Sequence, residues 1–196
     1  MAAPVIAVSG PSGAGKTTVA GLLAQSFDPS VHLQSDAFMP FVVNGWVDPW
    51  RAESAHQNEV MGAAFGSAAI QFAVGGYTVI LDGSVFPEGI EALAGFCAAR
   101  NVRLHYAVLR PDLGTCLSRM QQRLEEQRRP RQAGRPEYDG FFDRDALTRQ
   151  HDRFLELGCY EASVLDAEGS PEQVAQAVLA GVEAGSLLVR EPTARE

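Results

Sequence analysis

The chain has 196 residues, 46% of them hydrophobic and 20% charged, the proportions of an ordinary globular protein with enough material for one α/β domain. Its formal charge of −8 argues against a general nucleic-acid binder and against a membrane-surface binder. The 3 cysteines, Cys97, Cys116 and Cys159, are odd in number and widely spaced, which excludes a zinc pattern and a disulfide framework and leaves a reducing compartment as the expectation.

Val5 to Val8 reads as a short strand, and no signal peptide or membrane-spanning run is visible, so a cytoplasmic location is expected. The strand leads into Gly10-Pro11-Ser12-Gly13-Ala14-Gly15-Lys16-Thr17, which fits G-x-x-x-x-G-K-[ST] at every fixed position. Thr17 to Phe27 follows as a helix with Val19, Leu22, Leu23 and Phe27 on one face. Strand, glycine loop and helix start form an anion cradle, because backbone N–H groups converge there and the helix dipole favours negative charge. A plain glycine-rich turn is the alternative, and the flanking elements weigh against it. The expected contacts to a nucleoside triphosphate are Gly10, Ser12, Gly13, Ala14, Gly15, Lys16, Thr17 and Thr18. Lys16 would reach the β- and γ-phosphates, and the Thr17 hydroxyl would hold Mg²⁺. Lys16 is also the only lysine in the chain.

Further along, Val31 to Gln34 alternates like a strand and ends at Ser35-Asp36. From Phe38 to Pro49 the chain is aromatic and broken by Pro40, Gly45 and Pro49, which predicts a shaped loop or short helix. Arg51 to Val74 is helical in pattern, and Thr78 to Asp82 is a continuous apolar strand of the kind a parallel sheet buries on both faces. Pro87 opens a helix to Arg100, Val102 to Leu109 is a fourth strand, and Pro111-Asp112 starts a helix carrying Leu113, Leu117, Met120 and Leu124. The polar, arginine-rich segment 127–142 is expected to act as a lid within a single domain spanning 1–196. Asp143 to Leu157 is predicted helical, Ala162 to Asp166 a fifth strand, Pro171 to Ala184 the last helix, and 185–196 a partly ordered tail. Such alternation predicts a parallel, doubly wound sheet, with ligands at the carboxyl ends of the strands. Gly10, Asp36, Asp82, Arg110 and Asp166 all lie at or just beyond such ends.

Three residue groups then carry the chemistry. Asp82 closes an apolar strand and can hold Mg²⁺ or touch an acceptor, or can merely cap the turn before Gly83. Asp36 can orient an attacking hydroxyl and take its proton, or can serve as an N-cap for a helix from Ala37. Six arginines, Arg119, Arg123, Arg128, Arg129, Arg131 and Arg135, fall in a 17-residue window, from which one or two are expected to close on the nucleotide. An acceptor would lie between Asp36 and the helix near Arg51. Phe38, Phe41, Trp46 and Trp50 would form an apolar wall or, equally, a core cluster, with Arg51, His56 and Gln57 as polar contacts. His32 and His105 read as structural, and His151 as a surface residue. A guanine-binding N-K-x-D motif is impossible where Lys16 is the sole lysine.

The motifs G-P-S-G-A-G-K-T, S-D-A-F, V-I-L-D-G and the R-x-x-x-R helix resemble small P-loop kinases of the adenylate, shikimate and gluconate kinase group. More narrowly, they are similar to chloramphenicol phosphotransferase-like enzymes. The resemblance implies a three-layer fold whose five parallel strands run in the order 2-3-1-4-5. It also implies Asp36 as general base, Asp82 beside metal or acceptor, Arg119 near the adenine, and Arg123, Arg128 or Arg129 at the phosphates. The expected function is transfer of the γ-phosphate of ATP to a hydroxyl of a small molecule, with catalytic residues Lys16, Asp36, Arg123 and Arg129. Substrate contacts are expected from Asp36, Phe38, Trp50, Arg51 and Gly83, and metal contacts from Thr17 and Asp82. The competing readings are a kinase of a nucleotide sugar or nucleoside phosphate, and an ATP-binding switch without an acceptor. Neither nucleic acid nor membrane is expected as a partner.

Overall fold

Burial along the first strand, β1 (Val5–Ser9), sets the architecture: every residue is buried, with alternate side chains entering different cores. Val5 and Ala7 join one hydrophobic cluster, and Ile6 and Val8 join a second on the opposite face. A strand buried on both faces needs parallel neighbours, because crossover helices must cover both sides. The structure is a computed structural model that describes residues 2–127 and 143–190. The expected lid arginines Arg128, Arg129, Arg131 and Arg135, and the tail from 191 to 196, lie outside the described residues.

The chain continues through α1 (Lys16–Ala24), β2 (Ser30–Gln34), a 3-10 turn (Ser35–Phe41), a second 3-10 turn (Ala52–Ser54) and α2 (Ala55–Val74). Then come β3 (Thr78–Asp82), α3 (Pro87–Ala98), β4 (Leu104–Leu109) and α4 (Leu113–Gln127). Beyond residue 142 follow α5 (Arg144–Arg153), a 3-10 turn (Gly158–Ser163), β5 (Val164–Leu165) and α6 (Pro171–Ala184). The five strands pair in the order β2-β3-β1-β4-β5, all parallel. This is the order implied by the resemblance.

Helices α2 and α3 cover one face through Phe65, Ala69, Ile70, Ala73, Ile90, Leu93 and Cys97, and Phe154 and Leu157 complete that core. Their close approach uses Gly66, where a Cβ would come within 3.2 Å of Leu93 Cδ1. On the other face α1 and α6 bring Val19, Ala20, Leu23, Val174, Ala175 and Val178 together. Helix α6 starts as its sequence demands, with a Ser170–Gln173 capping box and Pro171 in the first turn.

Several expectations need correction. The first helix ends at Ala24 rather than Phe27. The helix predicted over Asp143 to Leu157 is shorter: the Asp143 carboxylate caps it by accepting from Asp145 N and Ala146 N, and it stops at Arg153. The fifth strand is only Val164–Leu165, paired with Val108 and Leu109. The tail takes the rest of that edge: Tyr106 N donates to Leu187 O (2.8 Å) and Val189 N to Leu104 O (2.9 Å), around an antiparallel His105–Leu188 bridge. His151 is not a surface residue; it is buried, and its Nε2–H donates to Pro111 O at 3.0 Å.

Candidate active site

Loop 10–15 is shaped by neighbours as much as by its own sequence. Gly10 and Gly13 have φ of 138° and 83°, and a Cβ on them would meet Leu109 O at 2.1 Å and Cys116 O at 2.5 Å. The loop is thus pressed against the end of β4 and the first turns of α4, an approach only glycine permits. Gly15, also left-handed at φ 93°, is the N-cap of α1 and offers no side-chain cap, and the first turn holds no acidic residue. The N–H groups of Gly13, Gly15, Lys16 and Thr17 meet no protein acceptor among the described residues. Free amides and an uncompensated helix dipole suit an anion.

Two loop contacts are made within the protein. Lys16 Nζ donates to Pro11 O (2.9 Å), and Ser12 N donates to Gln150 Oε1 (2.8 Å) on α5. The lysine is half-buried, and burial pulls its pKa below the ordinary lysine value. The carboxylates of Asp82 and, next, Asp36 act against that shift, and Arg123 adds to it. Residues distant in sequence therefore share one electrostatic neighbourhood: Lys16, Asp82, Asp36 and Arg123. Cys116, beside Lys16, is buried and its thiol is pushed up to about 11, so it stays protonated and packs as a small apolar group.

Asp82 ends β3, in register with Val8 of β1 and Gln34 of β2, and is only 5% exposed. His32 Nε2 lies 3.4 Å from its Oδ2, a neighbour that the strand pattern around His32 gave no reason to single out. The following turn is fixed to the loop: Ser84 Oγ donates to Gly10 O (3.0 Å), Ser9 Oγ and Val85 exchange two bonds, and the Tyr106 hydroxyl donates to Val85 O (2.6 Å). Gly83 abuts the Asp36 turn, since a Cβ there would stand 2.6 Å from Ser35 Oγ. Asp36 itself is exposed in the first 3-10 turn; its carboxylate accepts from Ser35 Oγ at 3.4 Å and makes no N-cap bond. The capping role considered for it is therefore not realised.

Arg119 and Arg123 project from one face of α4. Arg119 Nη1 reaches Gly13 O and Ala14 O at 3.4 Å and lines a cavity of 210 Å³ with Ala14, Gly15, Thr18, Val19, Ala167, Gly169, Pro171 and Val174. Arg110 is used structurally, donating to Phe154 O (2.8 Å) and pairing with Glu161. Asp166 accepts from Glu168 N (2.9 Å) and closes the turn before α6.

The acceptor-side aromatics divide. Phe38 packs edge-on against Phe65 and Phe41, part of the core margin, whereas Phe41 and Trp50 are exposed. Trp46 and Arg51 line a separate cavity, and Gln57 is committed to the backbone of Val47. Gln150 was missed by sequence reasoning. No local motif marks it; its place depends on how α5 packs, with Leu147, His151 and Phe154 buried beneath it.

Hard oxygen donors suit Mg²⁺, and Thr17 with the buried Asp82 supplies a hydroxyl and a carboxylate at the loop. Among the described residues no group of three or more His, Cys, Asp or Glu side chains gathers to hold a metal ion. No helix among the described residues is long and apolar enough to cross a membrane.

The AAA domain family matches residues 5–155. No curated protein matches the chain in sequence. Among solved structures, the Deinococcus radiodurans tunicamycin resistance protein is similar at 20% identity and a TM-score of 0.58, over 96% of this chain and 99% of that one. A gluconokinase from Sinorhizobium meliloti 1021 gives 18% identity and 0.61, over 93% of each chain. The Mycobacterium tuberculosis APS kinase, solved in complex with AMPPNP and APS, gives 15% and 0.63, over 93% and 98%. Sheet order, glycine loop and these similarities agree: the chain belongs to the AAA domain family, with the fold of the small P-loop kinases.

Proposed function

We propose that the protein is an ATP-dependent phosphotransferase that moves the γ-phosphate to a hydroxyl of a small molecule. The observation that carries this is the shared neighbourhood of Lys16, Asp82, Asp36 and Arg123, beside the amides of Gly13, Gly15, Lys16 and Thr17, which meet no acceptor among the described residues. A switch needs the first part of that arrangement; an exposed carboxylate whose charge acts on the same lysine is what an acceptor hydroxyl requires.

In this reading the base of ATP occupies the cavity beside Arg119 and Thr18, and its phosphates lie along the loop amides from Gly10 to Thr18. Lys16 leaves Pro11 O to bind the β- and γ-phosphates. Thr17 and Asp82 would hold Mg²⁺, which would neutralise phosphate charge. Asp36 orients the acceptor hydroxyl and takes its proton as the oxygen bonds to the γ-phosphorus. The bond to the β-phosphate oxygen breaks, and ADP leaves. Arg123, with Arg129 from the 127–142 segment, stabilises charge on the migrating group. Phe38, Trp50, Arg51 and Gly83 border the acceptor.

The test is ADP release from ATP and Mg²⁺ across a panel of hydroxyl compounds. Asp36→Asn should bind ATP and fold normally yet lose transfer by about 10²-fold or more, the scale of a general base. Lys16→Ala should lose both binding and transfer. A wild-type protein that transfers to no acceptor, with slow hydrolysis indifferent to Asp36→Asn, would be a switch instead.

A further inference from the structure

The acceptor side of the site has charge and shape of its own. Across residues 35–60, four acidic residues, Asp36, Asp48, Glu53 and Glu59, stand against one arginine, Arg51. That arginine is already engaged, with its Nε 3.6 Å from Glu53 Oε2. Both tryptophans of the chain, Trp46 and Trp50, fall in the same span.

The segment that leaves the Asp36 turn folds into a cavity of 300 Å³ lined by Trp46, Val47, Asp48, Arg51 and Glu53. Its walls are tied down. The Gln57 side chain accepts from Val47 N (2.9 Å) and donates to Val47 O (2.7 Å), while Ser54 Oγ lies 2.9 Å from Pro49 O and 2.7 Å from Arg51 O. Asn58 Nδ2 adds a bond to Pro49 O at 2.8 Å. Within this fixed wall Asp48 is half-buried, and its carboxylate has no hydrogen bond or ion pair among the described residues.

Resting on the kinase reading above, we propose that the acceptor is a hydroxyl compound with an apolar ring and a cationic amine, the ammonium seated between Asp48 and Trp46. An ammonium satisfies the unpaired carboxylate and sits well over an indole face. The exposed Phe41 and Trp50 offer apolar surface for the ring. A carboxylated or phosphorylated acceptor would meet Asp48 and Glu53 with only an arginine already facing Glu53 to receive it, and like charges brought together repel. A neutral acceptor would desolvate Asp48 without giving it a partner, which is unfavourable.

Because Trp46 and Trp50 are the only tryptophans, intrinsic fluorescence of the full chain reports this region directly. Three matched probes separate the charge types: 2-amino-1-phenylethanol, its N-acetyl derivative and mandelate. The amine is expected to bind about tenfold more tightly than the other two, a factor typical of one partly desolvated charge contact. Asp48→Asn should abolish that preference, and added salt should weaken it. Equal binding of all three, binding of none, or a charge preference indifferent to Asp48→Asn overturns the proposal. Preference for mandelate, lost in Arg51→Gln, overturns it in favour of an anionic acceptor read by Arg51. The titration needs no ATP, so failure of phosphoryl transfer and failure of the amine preference are read separately.

Discussion

Gln150→Ala should raise nucleotide affinity. In the structure Gln150 Oε1 accepts from Ser12 N at 2.8 Å, a donor that the proposed cradle would offer to phosphate. The side chain is held there because α5 cannot move freely. Leu147 and His151 are buried, His151 bonds Pro111 O, Phe154 stacks on Phe86 with centroids 4.6 Å apart, and the Arg153 guanidinium lies 3.5 Å above the same ring. A bound phosphate must displace a neutral hydrogen bond of about 0.5–1.5 kcal/mol net before gaining a stronger, charge-assisted one. Removing that competitor should tighten binding about two- to tenfold. Isothermal titration with a non-hydrolysable ATP analogue and Mg²⁺ measures this, with thermal unfolding as the check that α5 remains docked. Gln150→Glu should act in the opposite sense, because its carboxylate still accepts from Ser12 N and also repels phosphate. Weaker binding by the alanine variant, at unchanged stability, would refute the reasoning and make Gln150 a donor to the bound nucleotide.

Asp82→Asn should raise the Mg²⁺ concentration needed for nucleotide binding by about tenfold while the protein stays folded; an unchanged magnesium titration leaves Asp82 as a residue that only shapes its turn. Lys16→Met should raise the melting temperature of the nucleotide-free protein at pH 7. Burial lowers the pKa of Lys16, so the charged form is penalised at any pH below its folded value, and the penalty fades as pH rises toward the unfolded value of 10.5. The melting advantage of Lys16→Met should therefore shrink at alkaline pH, and a variant that melts lower than wild type at pH 7 contradicts it. Phe154→Ala removes a fully buried ring that stacks on Phe86 and should cost about 3–5 kcal/mol in urea unfolding; a loss under about 1 kcal/mol would mean the site collapses around the cavity.

The glycine loop was legible in the sequence because its chemistry is local. Eight consecutive residues specify the turn, the cation and the helix start, and the apolar run before them can only be a buried strand. Asp36 and Asp82 were legible by a second rule, that parallel strands deliver their carboxyl ends to one edge, so a polar residue just past an apolar run points there. The parallel sheet and its helix layers followed from the alternation of elements, whereas the strand order came from the resemblance alone.

What stayed hidden depends on contacts between distant segments. Ser12 and Gln150 are 138 residues apart, and only the packing of Leu147, His151 and Phe154 turns that face of α5 toward the loop. His151 lies in a polar stretch of sequence, yet Pro111 O gives its ring a buried partner, which periodicity cannot supply. The fifth strand is short because Leu187 to Val189 claims the remaining edge of β4, a competition between two segments that neither sequence reveals alone. Local patterns decide which backbone conformations and charges a segment brings. Which segments meet is decided by the burial of the two apolar cores, and in this protein that burial assembles the neighbourhood of Lys16.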